Sequence, residues 1–172
     1  RYTSGAKIRS TTIQSSNANY PAICSYDIEL DIYSCTIRNT GSSTNGTAVL
    51  LQNPSNNQCA IRLYDCATSG KMSNGIVLVN KNNNGYQVRL FPRISQQPSS
   101  ARIATWTTAN GQDDLKWKSM SKYSTTGSAT GSAFRYNVLK SDHRNATGEY
   151  TSHIYVTVNG SEYLFTGFKY TI

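Results

Sequence analysis

Residues 86–90, with the sequence YQVRL, alternate apolar and polar side chains, so that Tyr86, Val88 and Leu90 point the same way. A period of two is the period of a β-strand that buries one face. The same alternation recurs in three further stretches, residues 26–32, 134–138 and 150–158. The apolar positions hold mainly β-branched and aromatic residues, which favour strands. The sequence therefore predicts several half-buried β-strands.

Asparagine–glycine pairs separate these stretches and supply the positive φ angles that tight connections require. They stand at Asn45-Gly46, Asn74-Gly75, Asn84-Gly85, Asn110-Gly111 and Asn159-Gly160. Several short strands with turns at this spacing predict an all-β sandwich or barrel. A chain of 172 residues with 37% apolar content can fill one sizeable core. We therefore expect a single domain.

All four cysteines lie in the first 66 positions, at Cys24, Cys35, Cys59 and Cys66. An even count without a Cys-x-x-Cys pair favours disulfides in an oxidising compartment. The alternatives are buried free thiols or a zinc site, but closed zinc sites usually pair ligands about two to four residues apart. The sequence predicts an exported chain stapled by disulfides, with three pairings of the four cysteines open.

The formal net charge is +8, from 17 lysines and arginines against 9 aspartates and glutamates. Such charge attracts acidic glycans, nucleic acid, anionic membranes or acidic proteins, and does not choose among them. The alternative is that the basic residues serve solubility alone. Because export is predicted, we expect no nucleic-acid partner. The longest apolar runs, such as residues 76–79, are too short to span a membrane.

Catalytic motifs are not visible in the sequence. His143 and His153 lack the spacing of a zinc protease motif and have no evident nucleophile, so we expect both to be solvated. Asp113 and Asp114 are adjacent and would diverge on a strand. There is no P-loop and no dinucleotide fingerprint. The sequence therefore predicts a binding protein rather than an enzyme, with no cofactor and no metal.

Aromatic residues are abundant, with 12 tyrosines, and Trp117 stands between Lys116 and Lys118. Exposed aromatic rings beside cations suit stacking on sugars or contact with acidic partners. The alternative is that each ring, including that of Trp106, fills the core.

Residues 113–120 would also permit a short helical segment with an acidic N-terminus.

Residues 1–20 have strand-like composition but few large apolar groups, among them Ile8 and Ile13. Such a segment is either a frayed terminus or a strand that adds itself to the open sheet edge of another molecule. Since five positions separate the two isoleucines, a regular strand cannot point both the same way without a bulge.

Five short motifs carry a family resemblance. They are Gly70-Lys71 ahead of the apolar run 76–79, the turn at Asn82-Asn83, the strand at 88–92, the turn at 106–111, and Gly148-Glu149-Tyr150 at the start of a late strand. Together they resemble the fimbrial adhesin subunits of the Dr/Afa and aggregative-adherence group, which are chaperone–usher pilins. The resemblance covers residues 20 to 160.

The resemblance implies an immunoglobulin-like β-sandwich of the pilin type that lacks one strand. The N-terminal extension of a neighbouring subunit would complete it. Residues 1–20 would then be the donor extension, with Ile8 and Ile13 as its plugs, and residues 21–172 would be the single pilin or adhesin domain.

The resemblance also divides the four cysteines into two pairs. Cys24 and Cys59 look like the cysteine pair of the family. Cys35 and Cys66 have no counterpart there, and they are spaced so that a second bridge between them is plausible.

The function implied is that of a structural and adhesive subunit of a bacterial surface fimbria, exported through the periplasm. Its partners would be neighbouring subunits, a periplasmic chaperone, an outer-membrane usher, and a host extracellular-matrix protein or cell-surface glycoprotein. The net charge favours a basic receptor-binding face. The candidate contacts are Lys116, Trp117, Lys118, Lys122, Tyr123, Arg135, Lys140 and Arg144. The alternative is a secreted, lectin-like carbohydrate-binding β-sandwich, in which exposed aromatic rings would matter more than charge.

Overall fold

The computed structural model describes residues 7–26, 29–41, 46–52, 60–73, 75–93, 95, 97–109, 111–125, 128 and 132–172. These residues form β-strands and one short 3₁₀ turn, so the predicted all-β class is confirmed. None of the described segments is a helix capable of crossing a bilayer.

The first half of the chain winds into three stacked rungs, the arrangement of a parallel β-helix. The first rung contains β1 (Lys7–Arg9), β2 (Thr12–Ser15) and β3 (Ile23–Tyr26), the second β4 (Leu30–Tyr33), β5 (Thr36–Asn39) and β6 (Thr47–Gln52), and the third β7 (Ile61–Tyr64), β8 (Ala67–Ser69) and β9 (Lys71–Ser73). Corresponding strands of successive rungs pair in parallel. We call this part the coil.

Each rung turns its first corner at a residue with positive φ, at Ser10 (48°), Ser34 (53°) and Asp65 (51°). The three corners stack, because the Ser10 amide donates to the Tyr33 carbonyl at 3.0 Å and the Ser34 amide to that of Tyr64 at 2.8 Å. A positive φ is uncommon outside glycine, so the stacked hydrogen bonds stabilise an otherwise strained turn.

The corner at Ser10 explains how Ile8 and Ile13, five positions apart, can both face the interior of the coil. The two residues lie on different walls of the coil, and both pack against its apolar interior. Ile8 pairs with Ile32 and Ile13 with Ile37 of the same chain. Their role as donor-strand plugs for a neighbour stays a prediction, as does the division of the chain at residue 20.

The second half continues from the coil as a two-sheet sandwich. Its strands are β10 (Ile76–Asn82), β11 (Gly85–Phe91), β12 (Ser100–Thr107), β13 (Lys116–Ser119), β14 (Ser121–Ser124), β15 (Ser132–Leu139), β16 (Glu149–Val158) and β17 (Ser161–Thr171). One sheet has seven strands in the order β1-β4-β7-β10-β11-β15-β14, and the other has four in the order β13-β12-β16-β17.

The short helix considered for residues 113–120 is wrong over 116–119, because these residues form strand β13. Pairing with β12 prevails there, because a helix of that length is marginal by itself.

Strand β10 joins the two parts of the molecule, because it pairs in parallel with β7 and antiparallel with β11. Its alternate side chains enter two different cores. Ile76 and Leu78 point into the coil, whereas Val77 and Val79 point between the sheets of the sandwich. The seven-stranded sheet is therefore a wall of both.

Arg62 of β7 ties the coil to the four-stranded sheet. Its guanidinium lies 2.6 Å from Asp31 and 3.2 Å from Glu29, and it also donates to the Gly167 carbonyl at 3.4 Å. Burial lowers the pKa of this guanidinium, but the hydrogen bond and charge of Asp31 outweigh burial, and the pKa lies above its ordinary value. The side chain is only 12% exposed, so little solvent screens the pairs.

The thiols of Cys35 and Cys66 are free in the structure. The disulfide predicted between them is not formed, although both follow stacked corners and the Cys35 amide donates to the Cys66 sulfur at 3.4 Å. Each thiol donates to a backbone carbonyl, Cys35 to Tyr33 at 3.3 Å and Cys66 to Tyr64 at 3.4 Å. Burial raises the pKa of the Cys66 thiol, which keeps it protonated.

Cys24 is exposed on β3, and its thiol is also free, with Gln52 Oε1 as a hydrogen-bond acceptor at 3.4 Å. Cys59 lies outside the described residues. Because the Cys24 thiol is free, the Cys24–Cys59 bond implied by the family resemblance is not formed in the structure.

Arg62→Met should lower the free energy of unfolding by about 2 kcal/mol, because it leaves the Asp31 and Glu29 carboxylates partly buried without their cation. Urea unfolding at neutral pH measures the change. Arg102→Met is the matched control, since Arg102 also makes a paired contact with a carboxylate but lies in solvent, and its effect should be much smaller. Equal losses in the two variants would contradict the importance assigned to Arg62.

Candidate functional site

The outer face of the four-stranded sheet carries a row in which large and small side chains alternate. Trp117, Ala104, His153 and Gly167 stand directly opposite one another on β13, β12, β16 and β17. A Cβ atom on Gly167 would lie 2.9 Å from the His153 ring, so any residue other than glycine would displace the ring. The two small residues therefore make room for the aromatic rings.

Four rings form a continuous cluster on this face, which we call the aromatic platform: Trp106, Trp117, His153 and Tyr155. Their ring centroids lie 4.9 Å apart for Trp106 and His153, 6.4 Å for His153 and Tyr155, and 5.1 Å for Trp117 and Tyr155. Trp106 is 9% exposed, whereas Trp117 leaves 45% of its surface in solvent. Burial lowers the pKa of His153, so its ring is neutral at neutral pH.

A charged pair borders the platform and holds its most exposed ring. Arg102 donates from two nitrogens to the two oxygens of Glu162, at 2.7 and 2.6 Å. The same guanidinium lies 4.5 Å from the centroid of the Trp117 ring, which is a cation–π distance. The pair orients Trp117 and places hydrogen-bonding groups beside it, with no net charge.

A second cluster lies inside the molecule and links a hydroxyl, an imidazole and a carboxylate. His143 Nδ1 lies 3.0 Å from Asp114 Oδ2, and His143 Nε2 lies 3.0 Å from the Thr105 hydroxyl. An ionised carboxylate only accepts, so Nδ1 carries the proton and Nε2 accepts from Thr105 in the neutral ring. The amide and the hydroxyl of Thr107 also donate to Asp114.

This cluster is closed to substrates, because His143 and Thr105 are each 1% exposed. The expectation that His143 is solvated is therefore wrong. The 3₁₀ turn at Lys140–His143 brings its ring under β12, where Asp114 and Thr105 satisfy both nitrogens. We assign the cluster to the fold: it fastens the 3₁₀ turn and the loop before β13 to the sheet.

The predicted basic face is not gathered on one surface. Lys116 and Lys118 flank Trp117 in sequence but point to the opposite side of β13, since adjacent strand residues alternate. Lys118 lies 3.5 Å from Asp142, and Arg144 lies 3.5 Å from Asp113. Carboxylates therefore neutralise part of the predicted charge.

The remaining predicted contacts are spread over the seven-stranded sheet and the turn that follows it. Lys122 lies 6.0 Å from the ring centroid of Phe134, Arg135 lies 4.9 Å from that of Tyr123, and Lys140 starts the 3₁₀ turn. Whether these residues bind a receptor stays a prediction.

Sequence reasoning missed Arg102, Tyr155 and Glu162 as members of a site. The available signal was the outward register of β16, in which His153 and Tyr155 alternate with the buried Ile154 and Val156. That signal identifies an outward aromatic pair, but the residues that β12 and β17 place beside it depend on strand pairing.

Asp114→Asn should lower the free energy of unfolding by about 2 kcal/mol at pH 7, because hydrogen bonds to a carboxylate are replaced by weaker ones to an amide. Burial raises the pKa of Asp114, but hydrogen bonds from Thr107 and His143 outweigh it, and the pKa lies below its ordinary value. The stabilisation is therefore complete above the unfolded pKa of about 3.9 and is lost as the pH falls through the folded pKa.

Unfolding in urea across the acidic range should show the difference between wild type and variant shrinking as the pH falls. Asp113→Asn is the control, since that neighbouring carboxylate is largely exposed. A difference that stays constant down to the lowest pH would contradict the role given to the Asp114 charge.

Comparison with known proteins places the second half of the chain in a family. The GBS Bsp-like repeat matches residues 76–170, from the first residue of β10 into β17, and so covers both sheets of the sandwich. No curated protein matches the chain. A solved polysaccharide deacetylase from Bacillus cereus shares 13% identity at a TM-score of 0.45, over 56% of this chain and 29% of that one. The chain thus spans less than a third of that protein's length.

Because the repeat accounts for more than half of the 172 residues, the chain belongs to the GBS Bsp-like repeat family.

Proposed function

We propose that the chain is an extracellular carbohydrate-binding module that docks sugar rings on the aromatic platform. The observation that carries the proposal is the exposed ring of Trp117, held by Arg102 on the outer sheet face beside Tyr155. The exposed ring presents an apolar face to solvent, and sugar rings offer apolar faces that stack on aromatic ones.

The chemistry beside the rings suits a neutral sugar. Arg102 and Glu162 neutralise each other, yet their remaining donor and acceptor positions can bind hydroxyl groups. Lys169, on the same strand as Glu162, is likewise paired with Glu149 at 2.7 Å. An aromatic surface with a few polar groups at its border is the usual composition of a small-ligand site.

The fimbrial-subunit function stays a prediction, as do the immunoglobulin-like pilin type, the chaperone, usher and matrix-protein partners, and export to a bacterial surface. The absence of enzymatic activity and of cofactors is likewise a prediction. We favour carbohydrate binding because the aromatic residues converge on one face, whereas the predicted basic residues do not.

Trp117→Ala should weaken binding to neutral oligosaccharides roughly 30-fold, the loss typical of removing a central aromatic anchor. N-acetylglucosamine oligomers and cello-oligosaccharides, titrated by calorimetry, are suitable probes. Trp117→Tyr should restore part of the affinity, because it retains a ring. Thermal unfolding of each variant shows that the sheet is intact.

Lys116→Gln with Lys118→Gln is the matched control, since both lysines neighbour Trp117 but point to the other side of β13. The control should bind as the wild type does, and raising the salt concentration should change affinity little. Binding that depends on the lysines and on salt, but not on Trp117, would reject the platform and favour the basic-face hypothesis.

A further inference from the structure

The opposite side of the sandwich holds two arginines directly across from each other. Arg89 of β11 and Arg135 of β15 are cross-strand partners in the seven-stranded sheet, and Arg89 is also the partner of Leu78 on β10. Cross-strand partners share a face and lie about 5 Å apart at their Cα atoms. Since Leu78 points away from the sandwich core, both arginines lie on its outer face, on the side of the coil.

Within the part of the chain that the structure describes, neither arginine forms an ion pair. Arg135 rests over the ring of Tyr123 at 4.9 Å, which fixes its position without neutralising it. Like charges directly opposite each other destabilise a sheet. A bound anion would reverse this repulsion and accept hydrogen bonds from both guanidinium groups.

Side-chain amides adjoin the arginine pair. Gln87 and Asn137 form the next cross-strand pair and are hydrogen-bonded at 3.0 Å. Asn80 stands opposite Gln87 on β10, and its Oδ1 is buried without a hydrogen-bond partner among the described residues. Each amide retains donor or acceptor capacity, which suits a ligand rich in hydroxyl groups.

The amide row continues into a shallow depression of about 380 Å³, lined by the turn at 82–84 together with Asn137 and Leu139. The depression, the amides and the arginine pair lie in successive rows of the same sheet face. An extended polymer could therefore contact all of them at once, whereas a small free anion would use only the arginines.

We propose that this face binds an acidic polysaccharide, with Arg89 and Arg135 holding a carboxylate or sulfate group and the amides contacting hydroxyl groups. Nucleic acid fits less well, because it requires many phosphate contacts along a basic stripe. The cationic part here is a single pair bordered by neutral amides. The site is separate from the aromatic platform, which lies on the outer face of the other sheet.

The test measures binding of the full chain to three polymers by biolayer interferometry: hyaluronan, whose charges are carboxylates, dextran sulfate, whose charges are sulfates, and neutral dextran. Arg89→Gln with Arg135→Gln should weaken binding to the charged polymer about tenfold or more, since two charge-assisted contacts are lost. Binding of hyaluronan alone would assign a carboxylate ligand, and binding of dextran sulfate alone a sulfate ligand.

The matched control is Lys7→Gln with Arg38→Gln, which removes the same charge from exposed positions on β1 and β5 of the coil. It should change affinity less than about twofold. Because Arg89 is half-buried, Arg135→Gln alone provides a variant at an exposed position, and thermal unfolding checks all variants.

Equal losses in the two double variants would show attraction by overall charge and overturn the site. So would equal binding of neutral dextran, or no binding of either charged polymer. Trp117→Ala should leave binding of the charged polymers unchanged, which separates this result from the outcome for the aromatic platform.

Discussion

The structure depends on β10 being buried on both faces. The run Ile76-Val77-Leu78-Val79 lacks the alternation of the other strands because each of its side chains enters a core, two in the coil and two in the sandwich. Continuous apolar strands are typical of sheets covered on both sides. One strand therefore fixes the seven-stranded sheet as a shared wall, and with it the position of every outward-facing row.

That shared wall decides which surfaces are free to bind. The coil-side core reaches Phe91 of β11 and Ala133 of β15, whereas further along the same face Arg89 is half-buried and Arg135 is exposed. The four-stranded sheet covers the opposite face and presents its own outer side. Two rigid sheet faces thus carry different chemistry, aromatic on one and cationic on the other.

The sequence was sufficient to predict individual strands but not to predict which strands pair with each other. Alternation at 86–90 and 150–158 correctly indicated strands β11 and β16, because side-chain period is a local property. The coil was missed because its rungs pair residues 23 to 31 positions apart, as Val49 with Met72 and Ile32 with Leu63, and no fixed repeat marks them. The same limit applies to the platform, since β13, β12, β16 and β17 come together only through long-range pairing.

The position of β13 at a sheet edge explains why Trp117 is exposed while Trp106, one strand further in, is nearly buried. An edge strand has a neighbouring strand on one side only. The other side of a large ring on such a strand therefore stays exposed to solvent. Arg102 and Tyr155 nevertheless fix its orientation, so a ligand meets a ring that needs no rearrangement. Affinity from a preorganised ring is not offset by the cost of ordering a flexible side chain. A sheet edge, rather than a loop, is therefore the physical basis for the accessibility and the rigidity of this site.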